Sequence, residues 1–119
     1  MEKPRILICE DEEGVKEGLT LILKKDYSLS FAANGQEAIE YVKSKKADLI
    51  ILDIKMPKVN GLLALKEIKA ARSDIKVIIV SGYGMADMMQ EALKLGASDY
   101  IVKPFKRQKV LESVKKALI

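Results

Sequence analysis

Two apolar periods alternate along the chain. "RILIC" (5–9) is a short apolar run, followed by Val15, Leu19, Ile22 and Leu23, spaced three and four apart as on one helix face. "SLSFAA" (28–33) predicts a weaker strand, and Ala38, Ile39, Tyr41 and Val42 a second helix. "DLIILD" (48–53) is a near-continuous apolar strand, with Leu62, Leu65, Ile68 and Ala71 marking a third helix. "KVIIVS" (76–81) repeats the pattern, with Met85, Met88, Met89, Ala92 and Leu93 on a fourth helix. "DYIV" (99–102) is a short fifth strand, and Val110, Leu111, Val114 and Leu118 close on a fifth helix. The runs at 5–9, 48–52 and 76–80 lack strict alternation, as strands buried on both faces do when helices cover a parallel sheet. The pattern therefore predicts an α/β fold, a doubly wound five-stranded parallel sheet, as a single domain over residues 1–119. Asn34 and Gly35 begin a helix rather than a hairpin, because a helical pattern follows them. Gly96 is placed as a helix C-cap with positive φ.

Composition narrows the class. The chain has 119 residues, 49% of them hydrophobic and 32% charged, enough for one compact core and too little for two ordinary domains. No run approaches the ~18 apolar residues a membrane span needs. In "MEKPRILICEDEEG" acids close the apolar run too early for a signal peptide. The lone cysteine, Cys9, lies inside an apolar run and predicts a buried thiol, in keeping with a cytoplasmic protein. The formal charge of +4 is spread over scattered lysines, with arginine only at positions 5, 72 and 107. Nucleic-acid binding favours a clustered basic stripe, so solvated lysine faces are the better reading, with neither nucleic acid nor membrane as a partner. Histidine is absent, which removes the commonest general base and zinc ligand.

Ligands of open parallel sheets bind beyond the carboxyl ends of the strands. There the sequence places Glu10, Asp11, Glu12 and Glu13 after the first strand, Asp53 at the end of the third, Ser81 at the end of the fourth and Lys103 after the fifth. Each has a bland alternative: Asp11 or Glu12 as a cap of the first helix, Ser81 as a cap of the fourth, Lys103 as a solvated side chain. Asp53 is harder to dismiss, because Pro57 and Gly61 separate it from the next helix pattern. Glu10, Asp11 and Asp53 together would crowd three carboxylates, which protons or a cation must relieve. An all-oxygen donor set suits a hard ion, Mg²⁺ with Mn²⁺ able to substitute. A carboxylate beside such an ion can attack a phosphoryl group without prior deprotonation, while a lysine and a hydroxyl contact the phosphoryl oxygens.

"ILICEDE", "LIILDIKMPKVNG", "VIIVSGYG" and "LGASDYIVKPF", at these separations, resemble the receiver domains of bacterial two-component response regulators across the whole chain. The resemblance implies a flavodoxin-like sheet of order 2-1-3-4-5. It makes Asp53 the phosphoacceptor. Glu10, Asp11 and Asp53 become the Mg²⁺ ligands, with the backbone carbonyl of Lys55. Ser81 becomes the switch hydroxyl, Tyr100 the switch aromatic and Lys103 the phosphoryl-contacting lysine, joined to Pro104 by a cis bond. Glu10 departs from the usual aspartate of the acidic pair. Lys55 and Tyr83, two beyond the acceptor and the switch hydroxyl, are implied to tune phosphoryl lifetime. Both are large, which predicts slow self-dephosphorylation. Within the family this pair and "GYGMADMMQEALKLGA" resemble the single-domain sporulation phosphorelay receiver and the receivers of nitrogen-regulatory activators.

Lacking histidine, the chain needs its phosphodonor from a histidine kinase or histidine phosphotransfer protein. Gly14, Val15 and Gly18 near the acidic rim are candidate docking positions, with ordinary helix packing as the alternative. Met85, Met88 and Met89 with Tyr100 are a candidate face for a downstream output protein or fused output domain, although at least one of the three methionines is expected in the core. Three other readings stay open. The chain could be the isolated receiver of a DNA-binding transcriptional activator. It could be a small Mg²⁺-dependent phosphohydrolase, although such enzymes usually carry a second acid where Lys55 stands. It could also be a purely structural domain. On the receiver reading it is no enzyme beyond promoting its own phosphorylation and slow dephosphorylation.

Overall fold

The computed structural model describes residues 2–54, 60–82 and 86–119. Strands and helices alternate: β1 (Arg5–Cys9), α1 (Glu13–Leu23), β2 (Ser28–Ala32), α2 (Gly35–Ser44), β3 (Leu49–Asp53), α3 (Gly61–Ala71), β4 (Lys76–Ser81), α4 (Ala86–Lys94), β5 (Asp99–Val102) and α5 (Arg107–Ala117). The strands form one parallel sheet in the order β2-β1-β3-β4-β5.

Successive strand residues point to opposite faces, and each face has its own core. Leu7, Cys9, Ile50, Leu52, Val77 and Ile79 pack with Ala38, Ile39 and Val42 of α2, Ala64, Leu65 and Ile68 of α3, and Ala92 of α4. Ile6, Ile8, Leu49, Ile51, Ile78, Val80 and Ile101 pack with Leu19 and Leu23 of α1 and Val110 and Val114 of α5. The continuous apolar runs of β1, β3 and β4 are therefore double-faced burial. β2 is an edge strand and is only partly covered, which explains its weaker pattern.

Asparagines start two helices. Asn34 Oδ1 accepts from the Glu37 N–H at 3.0 Å, and Glu37 Oε1 accepts from the Ala33 N–H at 2.9 Å. That reciprocal pair turns the chain out of β2 at Ala32, one residue before the predicted end at 33. Asn60 Oδ1 likewise accepts from the Leu63 N–H at 3.0 Å. Gly61 is thus the first residue of α3 rather than part of the preceding loop. A Cβ there would fall on Ile54 Cα and lie 2.6 Å from the Ile54 carbonyl oxygen, so only glycine fits this approach. Gly96 has φ 108°, the predicted left-handed conformation. The third helix buries Gly61, Ala64, Leu65 and Ile68 and leaves Ala71 exposed, a rotation from the predicted face. No described helix is long and apolar enough to cross a membrane.

Candidate functional site

Register builds the site. Cys9 pairs with Leu52, so Glu10 and Asp53 leave the sheet side by side. Ser81 pairs with Val102, and the Lys103 N–H donates to the Ser81 carbonyl at 2.7 Å, which places Lys103 on the same rim. The pleat then sorts the side chains. Glu10, Asp53 and Lys103 follow Ile8, Ile51 and Ile101 at a spacing of two, on the α1–α5 side. Ser81 follows Ile79 in the same way on the opposite side, where Tyr100 packs half-buried against the α2–α4 core. Ile79 pairs with Tyr100, so Ser81 and Tyr100 are same-face neighbours in adjoining strands.

Lys103 is not a solvated lysine. Its side chain is 16% exposed, and Nζ donates to Asp53 Oδ2 at 3.1 Å and Glu12 Oε1 at 3.2 Å. Glu10 Oε1 lies 3.2 Å from the same nitrogen as an ion pair, but out of hydrogen-bond alignment. Burial opposes the ammonium charge; the hydrogen bond and charge of Asp53, then Glu10, outweigh it and hold the lysine above its usual pKa. Burial pushes Glu10 the other way, up to about 7, with Asp53 reinforcing the shift and the Glu12 N–H and Lys103 opposing it. That N–H donates to Glu10 Oε2 at 3.1 Å and ties the start of α1 to the site.

Carboxylate oxygens of Glu10, Asp11 and Asp53 lie within 4.8 Å of one another, Asp11 exposed and the other two buried. Three carboxylates against one half-buried lysine leave uncompensated charge. Glu10 Oε1 has no hydrogen-bond partner among the described residues. An all-oxygen, electron-rich set of this kind fits Mg²⁺ in both charge and donor type. Ser81 Oγ is also buried without a hydrogen-bond partner among the described residues. Among the described residues it caps no helix, and it ends β4. Glu12 stands at the N-cap position of α1, but its side chain makes no cap hydrogen bond. Asp11 does not occupy that position either.

Lys103–Pro104 is cis, as expected. Cys9 is buried beneath the rim and donates Sγ–H to the Asn34 carbonyl at 3.2 Å. Burial first, then Asp53 and Glu10, push its thiol up to about 12, so it is an inert core group. Met89 is 4% exposed and packs inward, so it offers no docking surface, whereas Met88 is half-buried against the core. On α1, Gly14 is exposed and Gly18 half-buried, both with open space where a Cβ would be, while Val15 is partly spent on the α1–α5 core. Lys55, Tyr83 and Met85 lie outside the described residues. The Glu12–Lys103 contact was not expected from the sequence; its one signal was an acid two residues past Glu10.

A doubly wound parallel sheet with crowded carboxylates, a half-buried lysine and a buried hydroxyl on one rim defines a domain suited to hold a hard cation beside an anion. The chain belongs to the response regulator receiver domain family, whose pattern it matches over residues 6–115. It is 38% identical to the sporulation initiation phosphotransferase F of Bacillus subtilis over 99% of this chain and 96% of that protein. It is 40% identical to the chemotaxis protein CheY of Thermotoga maritima over 94% of this chain and 95% of that one. A CheY-like receiver domain protein from Methanospirillum hungatei superposes with a TM-score of 0.92 at 30% identity, over 98% of this chain and 94% of that one. The chain is thus a receiver, the phosphoacceptor module of a two-component system. Receivers are signalling domains that bind Mg²⁺ at an acidic pocket and work with histidine kinases or phosphotransfer proteins and with output domains.

Proposed function

We propose that Asp53 is the residue that accepts the phosphoryl group. The observation that carries this is the Lys103–Asp53 contact at 3.1 Å beside the Glu10, Asp11 and Asp53 cluster. Glu10, Asp11 and Asp53, with the carbonyl of Lys55, would hold Mg²⁺, and Mn²⁺ could substitute. The ion supplies charge neutralisation for the phosphoryl oxygens when bound. A carboxylate oxygen of Asp53 attacks phosphorus, the bond to the donor nitrogen or oxygen breaks, and the leaving group departs with its electron pair. The product is an acyl phosphate, and no proton leaves Asp53. Lys103 exchanges a carboxylate for a phosphoryl oxygen. The Ser81 hydroxyl turns toward another, and Tyr100, on the same sheet face, follows the space this vacates.

The donor is a partner's phosphohistidine, since the chain has no histidine of its own. The open surface around Gly14 and Gly18 suits close approach of a kinase or phosphotransfer helix to the rim. Output passes through the α4–β5 side to a downstream protein or fused domain, with Met88 and Tyr100 as contact candidates and Met85 as a further one. Lys55 and Tyr83 shield the acyl phosphate from water. Beyond its own phosphorylation and slow dephosphorylation, the domain turns over no substrate. Acetyl phosphate with Mg²⁺ should phosphorylate the wild type and not Asp53→Ala, read by intact-protein mass spectrometry. Equal labelling of the variant would move the acceptor elsewhere. The isolated phosphoprotein should keep its phosphate for minutes in Mg²⁺; a half-life of seconds would remove the shielding role of Lys55 and Tyr83.

A further inference from the structure

Lys103 has three N–H bonds to give, and the described contacts already surround it with three carboxylates. Asp53 and Glu12 accept two of these as hydrogen bonds and Glu10 stands 3.2 Å away as a third anion, so a phosphoryl oxygen must compete with these carboxylates for the ammonium. Asp53 and Glu10 cannot move aside: their side chains are 4% and 1% exposed and rooted at strand ends. Glu12 can, because its side chain is 64% exposed and stands on the first turn into α1. It does not belong to the metal-ligating cluster. Nor is it spent on the helix, since it makes no cap hydrogen bond and its neighbour Glu13 supplies the first-turn acid, paired with Lys16 at 3.0 Å.

We propose that Glu12 is a positioning residue, a displaceable latch that holds Lys103 at Asp53 in the resting state and must release it when a phosphoryl group arrives. This rests on the reading of Asp53 as the phosphoacceptor. The latch makes the resting site less receptive to small anionic donors. Acetyl phosphate has to compete with the Glu12 carboxylate for the ammonium and gains no other contact by displacing it. The chemistry of transfer is unchanged: the Asp53 oxygen–phosphorus bond forms, the acetyl oxygen–phosphorus bond breaks, and acetate leaves with the electron pair.

The test compares Glu12→Gln with Glu13→Gln, which removes the same charge one residue away without touching Lys103. With acetyl phosphate and saturating Mg²⁺, Glu12→Gln should accelerate labelling of Asp53 by about two- to fivefold, the range an exposed ion pair supports, and the gain should shrink as salt is raised. Glu13→Gln should match the wild type. A second measurement needs no metal: brief acetic anhydride treatment, followed by peptide mass spectrometry, should modify Lys103 faster in Glu12→Gln and not in Glu13→Gln. Labelling rates equal to wild type, a slower rate, or an equal gain in both variants would overturn the latch. Failure of the wild type to label at Asp53 would overturn the phosphoacceptor reading and this inference with it.

Discussion

At the scale of single residues, the site stores repulsion that binding is built to relieve. Glu10 and Asp53 are buried side by side, and Lys103 balances only one of them in full. Replacing Asp53 by asparagine keeps the shape and leaves Glu10 and Lys103 as a matched pair. Asp53→Asn should therefore stabilise the metal-free fold, by on the order of 1 kcal/mol, the scale on which removing an imperfectly paired buried charge is stabilising. Urea unfolding in EDTA checks the sign. Adding Mg²⁺ should raise the midpoint of the wild type, through preferential binding to the folded state, and raise that of the variant much less. A variant less stable than wild type would mean that the pairing with Lys103 outweighs the crowding. The identities of Glu10, Asp11, Asp53, Ser81 and Lys103 were legible in the sequence, because each follows an apolar run and a parallel sheet brings all strand ends to one rim. Glu12 was not, because which of four adjacent acids meets Lys103 is decided by where α1 begins. That Met89 is a core methionine was not legible for a related reason: helical spacing says which methionines share a face but not which way that face turns.

At the scale of elements, two joints hold the rim in place. Gly61 lets the first turn of α3 lie directly on the Ile54 backbone, just after Asp53. Gly61→Ala must push those backbones apart, at a cost of about 2–3 kcal/mol as for other overpacked sites. Thermal denaturation would show it, and a neutral result would mean that the joint yields easily. The other joint ties β5 to α5. Ser113 Oγ donates to Asp99 Oδ2 at 2.6 Å, with the Tyr100 N–H on Oδ1 at 2.8 Å and Lys109 at 3.6 Å from Oδ2. Burial raises the Asp99 pKa, but Ser113, the Tyr100 N–H and Lys109 together outweigh it and leave the carboxyl below its ordinary value of 3.8. A carboxyl depressed in the folded state adds stability above its unfolded value and loses it as pH falls through the folded one. Ser113→Ala should thus cost about 1–2 kcal/mol at neutral pH, somewhat below the usual range for a hydrogen bond to a charged group because the carboxyl is partly exposed. Denaturant melts at pH 7 and below pH 3.8 test this: the deficit should fade as Asp99 protonates. Strand and helix order, and the left-handed Gly96, could be read from periodicity and punctuation, whereas Gly61 was legible only as a break in the pattern. The Ser113–Asp99 joint could not, because it links residues of two elements whose relative rotation only packing sets.

At the scale of the whole molecule, five strands serve two cores. Every central strand sends alternate side chains to the α2–α4 side and to the α1–α5 side, so neither core survives if the sheet opens. The reactive groups divide the same way. Glu10, Asp53 and Lys103 extend the α1–α5 face, while Ser81 and Tyr100 extend the α2–α4 face. On the proposed function, phosphorylation of Asp53 on one side of the sheet would be sensed by Ser81 and Tyr100 on the other. The arrangement requires the two cores to unfold as one unit even though they lie on opposite faces of the sheet. Leu65→Ala in α3 and Val114→Ala in α5 remove fully buried side chains from opposite cores. Each should lower stability, by about 2–4 kcal/mol for the leucine and less for the smaller valine. Because the sites share no partner, the double variant should lose close to the sum, within about 0.5 kcal/mol. Far-UV circular dichroism and tyrosine fluorescence should still report one coincident transition in each single variant. Two separated transitions would mean that one helical layer can detach while the other stays folded, and the proposed relay from Asp53 to Tyr100 would then lose its rigid sheet.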